Sequence, residues 1–234
     1  MRKKILLKDR IFPTITTISK NWREKIKEVG KLGLEEVCFF PTCLKEKERK
    51  ITYRLLKKIN IKRIPVVHLR EDMKAEELDY LIENYQTRAF VRHSQLEYPL
   101  IYNYSKYRNI IYIENVFHLF KEKELEHFGG ICLDFAHLEN DRLSNKRRFG
   151  SILKTIEKYP IGVNHISAIK KVAHQDVFKK IPRYDSHRFE NLSEFDYLKK
   201  YPKNYFSNLI AIELENSIKD QLLAKDYIAN ILEV

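Results

Sequence analysis

Residues 129–140 read GGICLDFAHLEN, and this stretch decides how the rest of the chain is read. The apolar run Ile131, Cys132, Leu133 has the look of a buried strand, yet it ends on Asp134 and is followed three residues later by His137. A carboxylate and an imidazole are costly to bury without partners, so a strand that ends on both delivers chemistry rather than core.

The pattern repeats along the chain. RIPVVHLRED ends its apolar run on His68, RAFVRHSQ on His93, NIIYIENVF on Glu114, IGVNHISAIK on His165 and NLIAIELENS on Glu213. Strands are expected at residues 4–7, 35–40, 63–68, 89–93, 110–114, 131–134, 161–165 and 209–213. Several are continuous Ile/Val/Leu/Phe runs, as parallel strands covered on both faces require. Helical patterns lie between them: SKNWREKIKEVGKLG, KERKITYRLLKKIN, KAEELDYLIENY and SNKRRFGSILKTIEKY. The closing SIKDQLLAKDYIANILEV keeps Leu222, Leu223, Ile228 and Ile231 near a helical period.

Eight strands alternating with helices suit a closed barrel or an open doubly wound sheet. The count of eight, and the lack of a G-x-G-x-x-G turn after any strand, favour the barrel. The expected fold is therefore α/β, a single (β/α)8 TIM barrel forming one domain over residues 1–234. Its fourth helix is expected to be incomplete or missing. Residues 94–109 carry Pro99, Tyr98, Tyr102, Tyr104 and Tyr107 but little helical period. Those tyrosines either pack the gap or stack on a substrate.

Composition narrows the class. With 44% hydrophobic residues, the 234-residue chain has ample material for a core, and sparse Gly and Pro leave no linker-like tract. The three cysteines, Cys38, Cys43 and Cys132, lack metal-type pairing and fit a reducing compartment. The N-terminal apolar run breaks after Leu7, too soon for a signal peptide, and no window is long enough to span a membrane. A cytoplasmic location follows as the expectation. The net charge of +12 points to an anionic partner, although a lysine-rich solvated surface gives the same total, so position must decide.

In a (β/α)8 barrel the C-terminal strand ends converge on one mouth. Here that mouth would gather His68, His93, Glu114, Asp134, His137, His165 and Glu213, joined by Asp185 and His187 from YDSHRF. Carboxylates so crowded repel unless a cation sits among them, and imidazole nitrogen with carboxylate oxygen is a donor set for Zn²⁺ or Mn²⁺. With no Cys in the set, a structural zinc site is disfavoured. His118, His127 and His174 fall in helical or loop contexts and need no special role.

The order His, His, Glu, Asp-x-x-His, His, Asp-x-His, Glu resembles the xylose-isomerase-like TIM-barrel superfamily, which includes sugar isomerases and epimerases and the endonuclease IV class of apurinic-site nucleases. The resemblance runs from about His68 to Glu213 and rests on order and spacing. In the isomerase branch it implies one metal, Mn²⁺ or Mg²⁺, held by Glu114, Asp134, His165 and Glu213, with Glu114 and Glu213 as the catalytic pair moving a proton. In the endonuclease branch it implies two or three Zn²⁺ ions. His68 and His93 with Glu114 would hold one; Glu114 would bridge to a second held also by Asp134, His165 and Glu213; His137, Asp185 and His187 would hold a third. Glu215, on the same side of the last strand as Glu213, is an alternative ligand there. The chain departs from the family after Glu114 (NVFHLF), with Phe120 where ketose epimerases tend to carry a second Glu, and after His165, with Ala168 where the nucleases carry Asp.

Two chemistries follow. A multinuclear centre suits phosphodiester hydrolysis, as at abasic DNA. A one-metal centre suits isomerisation or epimerisation of a sugar phosphate. Both substrates are anionic, and basic residues leave the same rim: Arg142, Lys146, Arg147 and Arg148 after the sixth strand, then Lys170, Lys171, Lys179, Lys180, Arg183 and Arg188 after the seventh. Arg142, Arg147, Lys170 and Arg188 are the candidate substrate contacts. The outer set His68, His93, His137, Asp185 and His187 has no strict use in a one-metal isomerase and tips the reading toward the hydrolase.

Overall fold

The computed structural model describes residues 6–176 and 181–233. Its parallel strands are β1 (Ile11–Phe12), β2 (Thr14–Thr16), β3 (Cys38–Phe40), β4 (Val66–His68), β5 (Ala89–Arg92), β6 (Ile111–Glu114), β7 (Ile131–Asp134), β8 (Ile161–Ile166) and β11 (Ile210–Ile212). Between β8 and β11 an antiparallel hairpin rises, β9 (Ala168–Gln175) and β10 (Pro182–Ser186). The helices are α1 (Trp22–Lys31), α2 (Glu46–Lys58), α3 (Ala75–Tyr85), α4 (Glu122–His127), α5 (Phe135–Ser144), α6 (Lys146–Ile156) and α7 (Ile218–Glu233). None is long and apolar enough to cross a membrane.

The ladder runs β1-β11-β8-β7-β6-β5-β4-β3-β2. Its two ends belong to one stave. Ile11 and Phe12 pair with Ile210 and Ala211, while Thr14–Thr16 pair with Cys38–Phe40. Pro13 divides them because it has no N–H to give the ladder, although its carbonyl still accepts from the Cys38 N–H at 2.9 Å. Counted this way, eight staves close into a TIM barrel.

The first stave corrects the expectation at residues 4–7. Lys4 and Ile5 lie outside the described residues, and Leu7 begins a 3-10 turn, Leu7–Arg10. The strand lies further on, where Phe12 faces the barrel interior and Ile11 and Ile15 face the helices. A proline inside a short apolar run hid it.

Strand parity divides the core in two. Phe12, Cys38, Phe40, Val66, Ala89, Val91, Cys132, Val163 and Ala211 fill the barrel, whereas Phe39, Val67, Phe90, Ile113, Leu133 and Ile212 pack against the helices. The alternation is the period of two that a pleated strand imposes. Gly162 leaves room inside the barrel for the Tyr112 ring, which a Cβ there would strike.

As expected, no α-helix joins β5 to β6; a 3-10 turn, Ser105–Ile110, stands there. Tyr104 and Tyr107 are buried and pin it to α3, Tyr104 Oη donating to the Met73 carbonyl (2.6 Å) and Tyr107 Oη to that of Ala75 (2.9 Å). Those two tyrosines pack the gap. Helix α5 was not legible in the sequence. Phe135 through Asp141 are all buried, so no polar face marks a helical period.

Candidate metal centre

The strand parity that sorts the core also aims the polar ends. On β7, Ile131 and Leu133 face the helices, so Cys132 and Asp134 face inward. By the same alternation His68, His93, Glu114, His165 and Glu213 continue the inward rows of β4, β5, β6, β8 and β11. All open into a cavity of about 770 Å³ at the C-terminal mouth, or lie directly beneath it.

Glu114 is the hub. Its Oε2 lies 3.4 Å from His68 Nε2 and 3.7 Å from His93 Nε2. Its Oε1 lies 3.3 Å from His165 Nδ1 and 3.7 Å from His137 Nε2. His165 Nδ1 is also 3.1 Å from Glu213 Oε2. Two donor groups result, His68/His93/Glu114 and Glu114/Asp134/His165/Glu213, each with ligand atoms within 4.8 Å of one another. Glu114 belongs to both.

Asp134 is locked in place by the start of α5. Its Oδ1 accepts the His137 N–H at 2.7 Å, capping the helix. Asn115 clamps its peptide, donating from Nδ2 to the Asp134 carbonyl (3.0 Å) and accepting the Asp134 N–H at Oδ1 (2.8 Å). The other oxygen, Oδ2, stays turned toward the centre.

The donors fit a divalent cation. Glu114 Oε2, Asp134 Oδ2, Glu213 Oε2, His68 Nδ1 and both ring nitrogens of His165 are buried without a hydrogen-bond partner among the described residues. Each such group costs about 1–3 kcal/mol unless something satisfies it. Charge tells the same story. Burial resists ionisation of Glu114, but His165, His68 and His93 outweigh it and hold its carboxyl well below the usual range. Burial likewise opposes His165, yet the Glu114 carboxylate beside it keeps its pKa well above that of free imidazole. Glu213, also buried, is held down to about 2 by His187 and His165. Asp134 goes the other way, pushed up to about 6 by burial and by Glu114 and Glu213. Asp134 is thus the carboxylate that the surrounding imidazoles offset least. Burial pushes the Cys132 thiol up to about 12, so it offers no thiolate.

The other expected residues line the same cavity but make different contacts. Glu215 is not in either donor group: it pairs with the buried Lys25 (3.4 Å) and accepts from the Ser19 N–H and hydroxyl. His137, Asp185 and His187 do not form a third donor group. Asp185 holds Arg183, and His187 Nδ1 lies 3.3 Å from the Glu213 carbonyl oxygen.

Among the four expected substrate contacts, Arg188 lines the cavity. Arg142 is absorbed by Glu139 at 2.6 and 2.7 Å, Lys170 by Glu194 at 2.9 Å, and Arg147 is exposed on α6. Arg148 ties its guanidinium to Asp141 and to the carbonyls of Val116, Phe117 and His118. Lys179 and Lys180 lie outside the described residues. The wall instead carries Arg188 together with Arg70, Arg92 and Arg183, which are paired with Asp72, Glu124 and Asp185. Arg70 and Arg92 had a sequence signal, standing beside His68 and His93 at strand ends. Glu97 and His174 also line the cavity, and Glu97 Oε2 lies 3.3 Å from His93 Nδ1. Tyr98 is half exposed at the mouth beside His93, ring centroids 5.4 Å apart.

The chain has the fold of the xylose-isomerase-like TIM barrels. A xylose isomerase-like TIM barrel protein from Mycobacterium smegmatis, in complex with magnesium, superposes with a TM-score of 0.51, covering 95% of this chain and 96% of its own at 9% identity. The IolI protein with a bound zinc atom superposes with a TM-score of 0.54, covering 95% and 97% at 12% identity. No protein-family model matches the sequence, and no curated protein matches it.

Proposed function

We propose that the protein is a divalent-metal-dependent phosphoesterase with a dinuclear centre, acting on a sugar-phosphate ester such as an abasic site in DNA. The observation that carries this reading is the shared ligand: Glu114 belongs to both donor groups. His68 and His93 would hold one ion with Glu114, and Asp134, His165 and Glu213 the other. A pair of divalent cations lowers the pKa of water and polarises phosphoryl oxygens. Arg188 on the cavity wall supplies positive charge where a phosphate would sit, beside Arg70 and Arg92, which are paired with Asp72 and Glu124. Zinc suits the mixed imidazole and carboxylate donors, and the magnesium and zinc of the two similar barrels accord with a divalent ion in this fold.

The four-residue group on its own supports a second reading, a one-metal isomerase or epimerase of a sugar phosphate. Glu114 and Glu213 there both approach His165 Nδ1, at 3.3 and 3.1 Å, and would share the proton transfer. Metal analysis of protein purified without chelator separates the two. Two ions per chain, with cleavage of an abasic-site oligonucleotide, supports the phosphoesterase. One ion, with turnover of a sugar phosphate and no cleavage, replaces it with the isomerase.

A further inference from the structure

The ligand set implied by the family resemblance has places for three ions, but the side chains gather donors for two. The third place is taken. Arg183 stands two residues before Asp185 on β10, on the same buried face, and its side chain is 5% exposed. Its Nε donates to Asp185 Oδ1 at 2.6 Å and its Nη2 to Oδ2 at 2.9 Å, a bidentate fork that occupies both carboxylate oxygens. The same Nη2 lies 2.8 Å from His137 Nδ1, and the guanidinium carbon sits 5.0 Å from the centre of the Phe117 ring.

We propose that the Arg183 guanidinium is a built-in replacement for a third metal ion, so that this centre takes two ions and keeps a fixed organic cation at the third position. The inference rests on the dinuclear reading above.

Each of the three expected ligands is accounted for. Asp185 is neutralised by a cation that never loses its proton. His137 Nδ1 lies 3.0 Å from Asp185 Oδ2 as well as 2.8 Å from Arg183, and one nitrogen cannot donate and accept at once. The carboxylate is the stronger partner, so Nδ1–H donates to Asp185, and Nε2 faces Glu114 and Asp134 at 3.7 and 3.9 Å. His187 is directed at Glu213, its ring 6.4 Å from that of His137. A metal ion entering between these groups would have to displace a buried guanidinium or stand against its charge.

The arrangement is fixed by backbone rather than by chance of rotamer. The pairing of β9 with β10 shifts register between Arg183 and Asp185, and the Tyr184 N–H at that irregularity donates to Asn140 Oδ1 on α5 at 2.9 Å. The hairpin is thereby pinned to the helix that carries His137.

Zinc titration of the metal-stripped full chain, with elemental analysis of the loaded protein, tests the inference. Wild type and His187→Ala should both saturate at two ions, and Arg183→Met should accept a third. Arg183→Lys, which keeps a cation, should stop at two; it also serves if the methionine variant does not fold. An ion lost in His187→Ala or a folded Arg183→Met that stops at two would overturn the inference and leave the dinuclear reading standing, whereas three ions in wild type would overturn the inference and replace the dinuclear centre with a trinuclear one. Fewer than two ions in wild type would remove that reading and the inference with it.

Discussion

Replacing Glu114 by Gln should abolish both metal sites in one step, because the two donor groups meet at that side chain alone. An ion present at a thousand times its dissociation constant stabilises the fold by about 4 kcal/mol. For a chain of this length each kcal/mol moves the melting temperature by about 2–4 °C, so each ion should add about 8–16 °C. Thermal melts of chelated and zinc-loaded protein read this directly. Wild type should show two increments as zinc is added. His68→Ala should keep only the increment of the Asp134 group, and Asp134→Asn only that of the histidine pair. Glu114→Gln should show neither. The chelated melts serve as the control, since removing a buried carboxylate among imidazoles alters the apo protein too. If Glu114→Gln still melts with one zinc-dependent increment, Glu114 does not bridge and the shared-ligand argument fails.

Other consequences follow from named contacts. Glu215→Gln leaves the ammonium of Lys25 buried without its carboxylate, a loss of about 3 kcal/mol, while zinc stoichiometry stays at two; a lost ion would show that Glu215 is a ligand after all. In chelated protein His137 is held up to about 9, against burial, by Asp134 and Asp185. A raised imidazole pKa contributes stability that is complete below pH 6.5 and fades as pH rises through 9. Proton NMR of its ring should therefore find a midpoint near 9 without metal and a clearly lower one once zinc neutralises Asp134. A midpoint near 6.5 in the chelated protein would contradict the geometry. Gly162→Ala pushes a methyl into the Tyr112 ring inside the barrel and should cost about 1–3 kcal/mol, read as an earlier denaturation midpoint with unchanged zinc binding.

The strand-end residues were legible because they obey a local rule. A strand alternates its faces, so an inward Cys132 dictates an inward Asp134, and the same parity places His68, Glu114, His165 and Glu213. Seven of the eight staves could be read from apolar runs on this basis. The first could not, since Pro13 splits it into halves that pair with different neighbours. Helix α5 escaped for the opposite reason: burial on all sides erased its period.

What the sequence by itself determined about this protein is the barrel and the inward row of imidazoles and carboxylates, because backbone periodicity carries both. The partners of the charged groups were decided by tertiary structure alone. Arg142 and Lys170 leave the expected rim yet end on Glu139 and Glu194, and Glu215 shares the parity of Glu213 yet is claimed by Lys25. His137 and Arg183 lie far apart in the chain and meet because the hairpin folds onto α5. Which carboxylate a cation neutralises depends on distances of a few ångströms between segments remote in sequence, and no local pattern encodes those distances.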